Sequence, residues 1–279
     1  MSSNKLTRAT QEPAWVRITL LTVGLGFLFF FLGLPLVAVF VEALAQGLPI
    51  YLEALKEPET RSAIWLTIVI ALAVLPFNIL FGVAAAWAIA KFDFRGKSLL
   101  ITLIDLPFAV SPVVVGVALI LLWGSSGLLG FVENDFGIKI IFGLPGIVLA
   151  SIFVTVPFVI REVEPLLHEL GTDQEEAAST LGATWWQTFW RITLPSIRWG
   201  LTYGVVLTIA RTLGEFGAVI MVSSNLPGQS QTLTLLVADR YNRGNEYGAY
   251  ALSTLLMATA VLVLVVQIIL DARRNNAAQ

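Results

Sequence analysis

The sequence predicts an all-α polytopic membrane protein with six transmembrane helices, and three observations carry that expectation. Of the 279 residues, 57% are hydrophobic and only 13% are charged, with a mean hydropathy of +0.82. A water-soluble domain of this length needs far more charge to cover its surface, whereas a bilayer accepts apolar side chains on the outside. Six apolar stretches are each long enough to cross a hydrocarbon core, which takes roughly 20 helical residues. Lys and Arg are also shared unequally between connections that would alternate sides.

The stretches run Ile18–Phe40, Ile64–Ala90, Leu99–Trp123, Leu144–Ile160, Trp199–Val222 and Ala249–Leu270. The first lies where a signal peptide would. Its apolar run is too long for one, and no small-residue cleavage site follows, so it is expected to stay as an anchor. The fourth is the shortest and carries Pro145 and Pro157, which leaves its ends open. The expected organisation is a tail over 1–17, a six-helix membrane domain over 18–270 and a tail over 271–279. On one side fall Lys5, Arg8, Arg17, Lys91, Arg95, Lys97, Arg161, Arg191, Arg198, Arg273 and Arg274. On the other fall Lys56, Arg61, Lys139, Arg240 and Arg243. The richer side is cytoplasmic by the positive-inside rule, so both termini and the connection before the fifth span are expected there.

Composition excludes several kinds of chemistry. A net charge of −2 leaves no nucleic-acid footprint. The absence of Cys removes disulfides, thiolate metal sites and a Cys nucleophile. The lone His168 cannot build a His-cluster metal site and reads as a polar residue at a helix end. Gly96-Lys97-Ser98 suggests a phosphate-binding loop, but position 91, where that loop needs Gly, holds Lys91. No catalytic, cofactor or metal residue is therefore expected. No internal repeat is visible, which weighs against an inverted-repeat secondary transporter.

The fourth connection is the most informative segment. Between Gly171 and Pro195 it reads as two short helices. Thr172 with Glu175 makes one capping box, and Thr184 with Gln187 makes another. Gly182 is placed to end the first helix and Pro195 to stop the second. Ala177, Ala178 and Gly182 are small enough for another backbone to approach closely. Trp185, Trp186, Phe189 and Trp190 are more apolar than a loop in water requires. These aromatics fit two roles: docking into a cleft on another protein, or packing on this chain's own helices at the lipid interface.

Ionisable groups inside spans are costly unless paired. Arg211 and Glu215 are four apart in the fifth stretch, on one face if it is helical. The pair can support packing alone or line an anion pathway, and Asp105 in the third stretch is a candidate third member. Asn78 in the second reads as interhelical glue. The connection from Ser223 to Gly248 has Pro227-Gly228 as a turn and Thr232–Tyr241 as a short helix. It is expected either to form part of an outer gate that touches a partner protein or to be a solvated loop.

Two strings resemble known families. Glu176-Ala177-Ala178, then Gly182, then Ile192-Thr193-Leu194-Pro195 resembles the EAA signature of permease subunits in bacterial ABC importers. Ala210-Arg211-Thr212-Leu213-Gly214-Glu215-Phe216-Gly217-Ala218-Val219 resembles a segment shared by sulfate/thiosulfate and molybdate permeases. Ser223-Ser224-Asn225, Pro227-Gly228, Thr232-Leu233-Thr234-Leu235 and Tyr241 followed by Asn245-Glu246-Tyr247 are more similar to the sulfate type, and to its W-type (CysW) subunit. Arg243 and Gly244 interrupt that last string.

The resemblance implies a type I (MetI-like) ABC importer permease fold in the bacterial inner membrane. It implies that Glu176, Ala177, Ala178, Gly182, Trp186, Ile192, Leu194 and Pro195 couple the chain to a cytoplasmic ATPase. The implied partners are a second, CysT-type permease subunit, two copies of a CysA-type ATPase, a periplasmic sulfate-binding protein and membrane lipid. ATP and Mg are expected on the ATPase and no cofactor on this chain. Two rivals stay open: a molybdate/tungstate permease, and an ion-coupled secondary transporter using Asp105 and Glu215.

Overall fold

The computed structural model describes residues 13–277, with side chains described to residue 273. Lys5, Arg8 and Arg274, which entered the charge count, lie outside the described side chains, as do residues 1–12 of the expected tail. Every regular element among the described residues is helical.

The chain opens with α1 (Ala14–Leu28), a π-helical turn (Phe29–Gly33) and α2 (Leu34–Leu44), which together make one apolar rod of 31 residues. Arg17 lies inside this rod, so the first span starts earlier than its apolar run. No residue of α1 is buried, whereas α2 packs along the last helix. Next come α3 (Leu48–Lys56) and the 34-residue α4 (Pro58–Lys91), about 51 Å long at 1.5 Å per residue. Pro58 sits at its first position, where a missing N–H costs nothing. Its buried residues Ala63, Thr67, Ile70, Val74, Asn78, Gly82, Ala86 and Ile89 recur every three or four positions and form a single stripe.

The third apolar stretch is not one helix. It breaks into α5 (Lys97–Ala109) and α6 (Pro112–Trp123), bent by 115°. The cause is local: the residue before a proline is pushed out of the α region. Ser111, with Val110 before it, is extended ahead of Pro112. A short α7 (Phe131–Phe136) leads to α8 (Leu144–Leu170), which overruns the expected end at Ile160 and places Arg161 inside a helix. Then come α9 (Asp173–Thr180), α10 (Trp185–Thr188), a second π turn (Phe189–Thr193) and α11 (Leu194–Leu213). Here two expectations fail. Pro195 does not stop a helix, because α10, the π turn and α11 run on continuously. The fifth stretch also ends at Leu213 rather than Val222, followed by the separate α12 (Gly217–Val222).

Both π turns lie immediately before a Leu-Pro pair, Leu34-Pro35 and Leu194-Pro195. Proline lacks an N–H and its ring crowds the carbonyl four residues back. Widening the preceding turn relieves that clash without breaking the rod. The chain closes with α13 (Leu233–Asn242), which matches the short helix expected from Thr232, and α14 (Glu246–Ala277). The latter runs beyond the expected span at both ends, into the tail expected over 271–279.

Helix α8 is the hub, packed on α4 along one side and α11 along another. Small residues set these contacts, as in membrane bundles generally. A Cβ on Gly82 would come within 2.6 Å of Val159 Cγ1, and one on Gly204 within 2.8 Å of the Val159 Cα. Asn78 donates to Thr155 Oγ1 at 2.6 Å across the buried α4–α8 contact, the glue expected of it. Among the described residues four rods are long and apolar enough to cross a membrane: Ala14–Leu44, Pro58–Lys91, Leu144–Leu170 and Glu246–Arg273. The bent α5–α6 pair makes a fifth when counted as one, and α11 lies beside α8 within the same bundle.

Candidate functional site

At the α9–α10 end of the molecule the segment 171–195 stands out from the bundle. Helix α9 carries Asp173, Glu175 and Glu176 in its first turn, where acidic side chains favour the helix dipole. It ends at Gly182 with φ +83°, a conformation that favours glycine. Thr184 and Gln187 form the expected capping box, with Thr184 N donating to Gln187 Oε1 at 2.9 Å. The box expected of Thr172 and Glu175 does not form, because the Glu175 carboxylate is engaged elsewhere. Its Oε2 lies 3.1 Å from Lys91 Nζ at the end of α4, and its Oε1 accepts from Thr193 Oγ1 at 2.8 Å. Lys91 Nζ also donates to the Gly171 carbonyl.

Of the two roles that the sequence left open, packing on the chain's own helices is met by part of the aromatic cluster, and the rest is exposed. Trp185 and Phe189 stack on Trp87 of α4, with ring centroids 5.5 and 5.1 Å apart. Trp186 and Trp190 meet edge to face at 5.5 Å and remain exposed. Glu176, Ala177, Gly182 and Pro195 are exposed too, while Ala178, Ile192 and Leu194 are half-buried. Leu181, beside Gly182, is 88% exposed, a bare apolar tip on a polar turn. The segment thus has one face fastened to α4 and another that none of the described residues covers. Of the residues named from sequence, Glu176, Ala177, Gly182 and Trp186 belong to the open face. Glu175, Lys91 and Thr193, which fasten it, were named from sequence only in other roles, Glu175 as a capping partner; a Lys closing an apolar span opposite an acidic first turn was the available signal.

The charges inside the apolar stretches fall into two separate pairs. Arg211 Nη1 lies 2.6 Å from Glu215 Oε2, so the expected partners do meet. They do not share a helical face, however, since Glu215 lies beyond the end of α11. Glu215 is 2% exposed, and its other oxygen accepts from the Ala218 backbone N–H at 2.9 Å, capping α12. Its carbonyl accepts from Thr234 Oγ1 at 2.7 Å, which draws α13 onto the break. The Arg211 side chain keeps 34% of its surface exposed. Asp105 is not a third member of this group: it pairs with Arg161 of α8. A further buried cation escaped the sequence reading. Arg240, assigned there to an outer loop, is 5% exposed and bonded to Glu57 and to Thr60 Oγ1 at the opposite end of α4 from Lys91.

The chain matches the family model described as binding-protein-dependent transport system inner membrane component over residues 78–275. It is 49% identical over 272 residues to the sulfate transport system permease protein CysW of Synechococcus elongatus, covering 98% of this chain and 93% of the relative. It is 43% identical to CysW of Escherichia coli K12, covering 98% and 94%, and 36% identical to that organism's CysT, covering 88% and 89%. Among solved structures, a bacterial importer of alginate, in complex with its pentasaccharide-bound periplasmic protein, superposes with a TM-score of 0.76. That match has 18% identity and covers 95% of this chain and 96% of that one. At that identity the likeness concerns the fold. With its glycine-packed helical bundle and its exposed EAA segment, the chain belongs to the binding-protein-dependent transport system inner membrane components, in the branch of the sulfate transport system permease proteins.

Proposed function

We propose that the chain is the W-type permease subunit of an ATP-driven sulfate/thiosulfate importer and forms one half of a heterodimeric pathway. The observation that carries this reading is its greater identity to CysW relatives, 43–49% over nearly the full chain, than to CysT relatives, at 35–36%. Two related permease types in one organism fit a heterodimer, with this chain taking one place and a CysT-type subunit the other. Sulfate is a dianion at physiological pH, and a negative-inside potential opposes its entry. Uptake then needs a motor and donors along the path.

The motor is an ATPase partner of the CysA type, in two copies, which carries the ATP and Mg. The open face of 171–195 is its docking surface: small residues allow close approach, and Leu181, Trp186 and Trp190 offer apolar anchors. Arg211 serves the anion in the pathway. Both termini and the docking segment are cytoplasmic, and a periplasmic sulfate-binding protein delivers from the other side. Purification of the tagged chain from membranes tests the assembly. The expected result is one related permease and two ATPase copies, with ATP-dependent sulfate uptake after reconstitution. Co-purification with a second identical copy in place of a relative would point to a molybdate-type homodimer and overturn the sulfate reading. Gly182→Trp and Glu176→Lys should leave the chain inserted while abolishing ATPase association and uptake. Normal association in both variants would remove the docking surface.

A further inference from the structure

We infer that Glu175, the residue just before the EAA triplet, is a positioning residue that latches the docking segment to α4 and to the start of α11, so that movement of the segment reaches both helices. The inference rests on the proposed docking of 171–195 to an ATPase. Docking by itself moves nothing unless the docked segment is fastened to the helices that enclose the path. An αα connection in water is usually fastened weakly, because exposed ion pairs contribute little. This one differs. The Lys91 side chain is 8% exposed and the Glu175 side chain 24%, and both carboxylate oxygens are engaged, one by Lys91 Nζ at 3.1 Å and one by Thr193 Oγ1 at 2.8 Å. Lys91 also reaches the Gly171 carbonyl at the start of the segment. A single carboxylate therefore joins the end of α4, the first turn of α9 and the π turn that leads into α11.

Two further observations give the latch a direction. Trp87, one turn before Lys91 on α4, stacks on Trp185 and Phe189, so the segment meets α4 through an apolar as well as an ionic contact. Thr193 is the last residue of the π turn, and π turns are wide, strained places where a helix can shift register. Holding Thr193 by its hydroxyl fixes the widened turn relative to α4. Pulling Glu175 would act on both at once.

The test uses the full reconstituted importer with Glu175→Gln, Lys91→Met and the exchange Glu175→Lys with Lys91→Glu. ATPase association, ATP hydrolysis stimulated by loaded binding protein, and sulfate uptake are measured together. In Glu175→Gln and Lys91→Met, association should persist while sulfate delivered per ATP hydrolysed falls about tenfold, in the range of ordinary coupling between sites. The exchanged pair should recover most of that ratio. An unchanged ratio in both single variants would overturn the latch. Loss of ATPase association in them would overturn it too, by showing that Glu175 only shapes the docking surface. Failure of the docking reading has a different signature: Gly182→Trp would retain the ATPase while the wild-type latch stayed intact.

Discussion

Glu215 shows how much one side chain can hold at a break in a helix. It neutralises Arg211, caps α12 through Ala218 and, through its carbonyl, anchors Thr234 of α13. A carboxylate that is 2% exposed tolerates no loss of its partners. Glu215→Leu alone should therefore lower the yield of folded protein, because Arg211 loses its counter-charge and α12 its cap. Arg211→Met combined with Glu215→Gln keeps an acceptor for Ala218 and removes both charges, so it should fold. If Arg211 serves the anion, that double variant should take up sulfate at least tenfold more slowly, since a hydrogen bond to a charged group is worth about 1.5–3 kcal/mol. Wild-type uptake by the folded double variant would assign the pair to packing alone.

At the scale of elements, the connection after α12 is mostly interior. Ser223, Ser230, Gln231 and Thr232 are buried, Ser223 Oγ donates to the Ser230 carbonyl at 2.7 Å, and the Leu233 N–H donates to Thr67 Oγ1 of α4 at 2.9 Å. Only the turn at Leu226, Pro227, Gly228 and Gln229 and the stretch 241–247 are exposed. If this connection is part of an outer gate that meets the binding protein, contact is confined to those two tips. Single cysteines at Leu226, Gln229, Asn242 or Asn245 in this cysteine-free chain should crosslink to the binding protein, while a cysteine at the buried Ser230 should not. Absence of crosslinks at all four exposed positions would exclude the contact.

Across the whole molecule, the two classes of connection sit at opposite ends of α4. Lys91 meets the 171–195 segment at one end, and Arg240 meets Glu57 and Thr60 at the other. The proposed orientation puts the first end in the cytoplasm. In intact spheroplasts, a membrane-impermeant maleimide should label Asn242→Cys and spare Ser179→Cys, which should react only after lysis. Both positions are exposed, so access across the membrane decides the outcome. Labelling of Ser179→Cys in intact spheroplasts would reverse the topology and remove the docking reading with it.

The sequence by itself determined the all-helical membrane class, the position of the two short helices between Gly171 and Pro195 and the turn at Gly182. Those features follow from apolar run length, from the shortage of charge and from local backbone preference, all of which are written along the chain. The meeting of Arg211 with Glu215 was legible too, but its geometry was not: the fifth stretch stays apolar through Val222, whereas α11 stops at Leu213 because the Glu215 carboxylate caps a new helix. Prolines were the hardest residues to read. Before Pro112 the chain kinks by 115°, and before Pro195 it widens into a π turn and continues. Both places carry a proline, but the residue before it and the neighbours differ: Ser111 precedes Pro112 and α12 packs on α6 through Gly116, whereas Leu194 precedes Pro195 and Thr193 is tied to Glu175. The ion-pair partners of Asp105, Glu175 and Arg240 are 56, 84 and 183 residues away. No local pattern encodes such pairings, because they exist only once the packing of α4, α8 and α13 has brought their surfaces together.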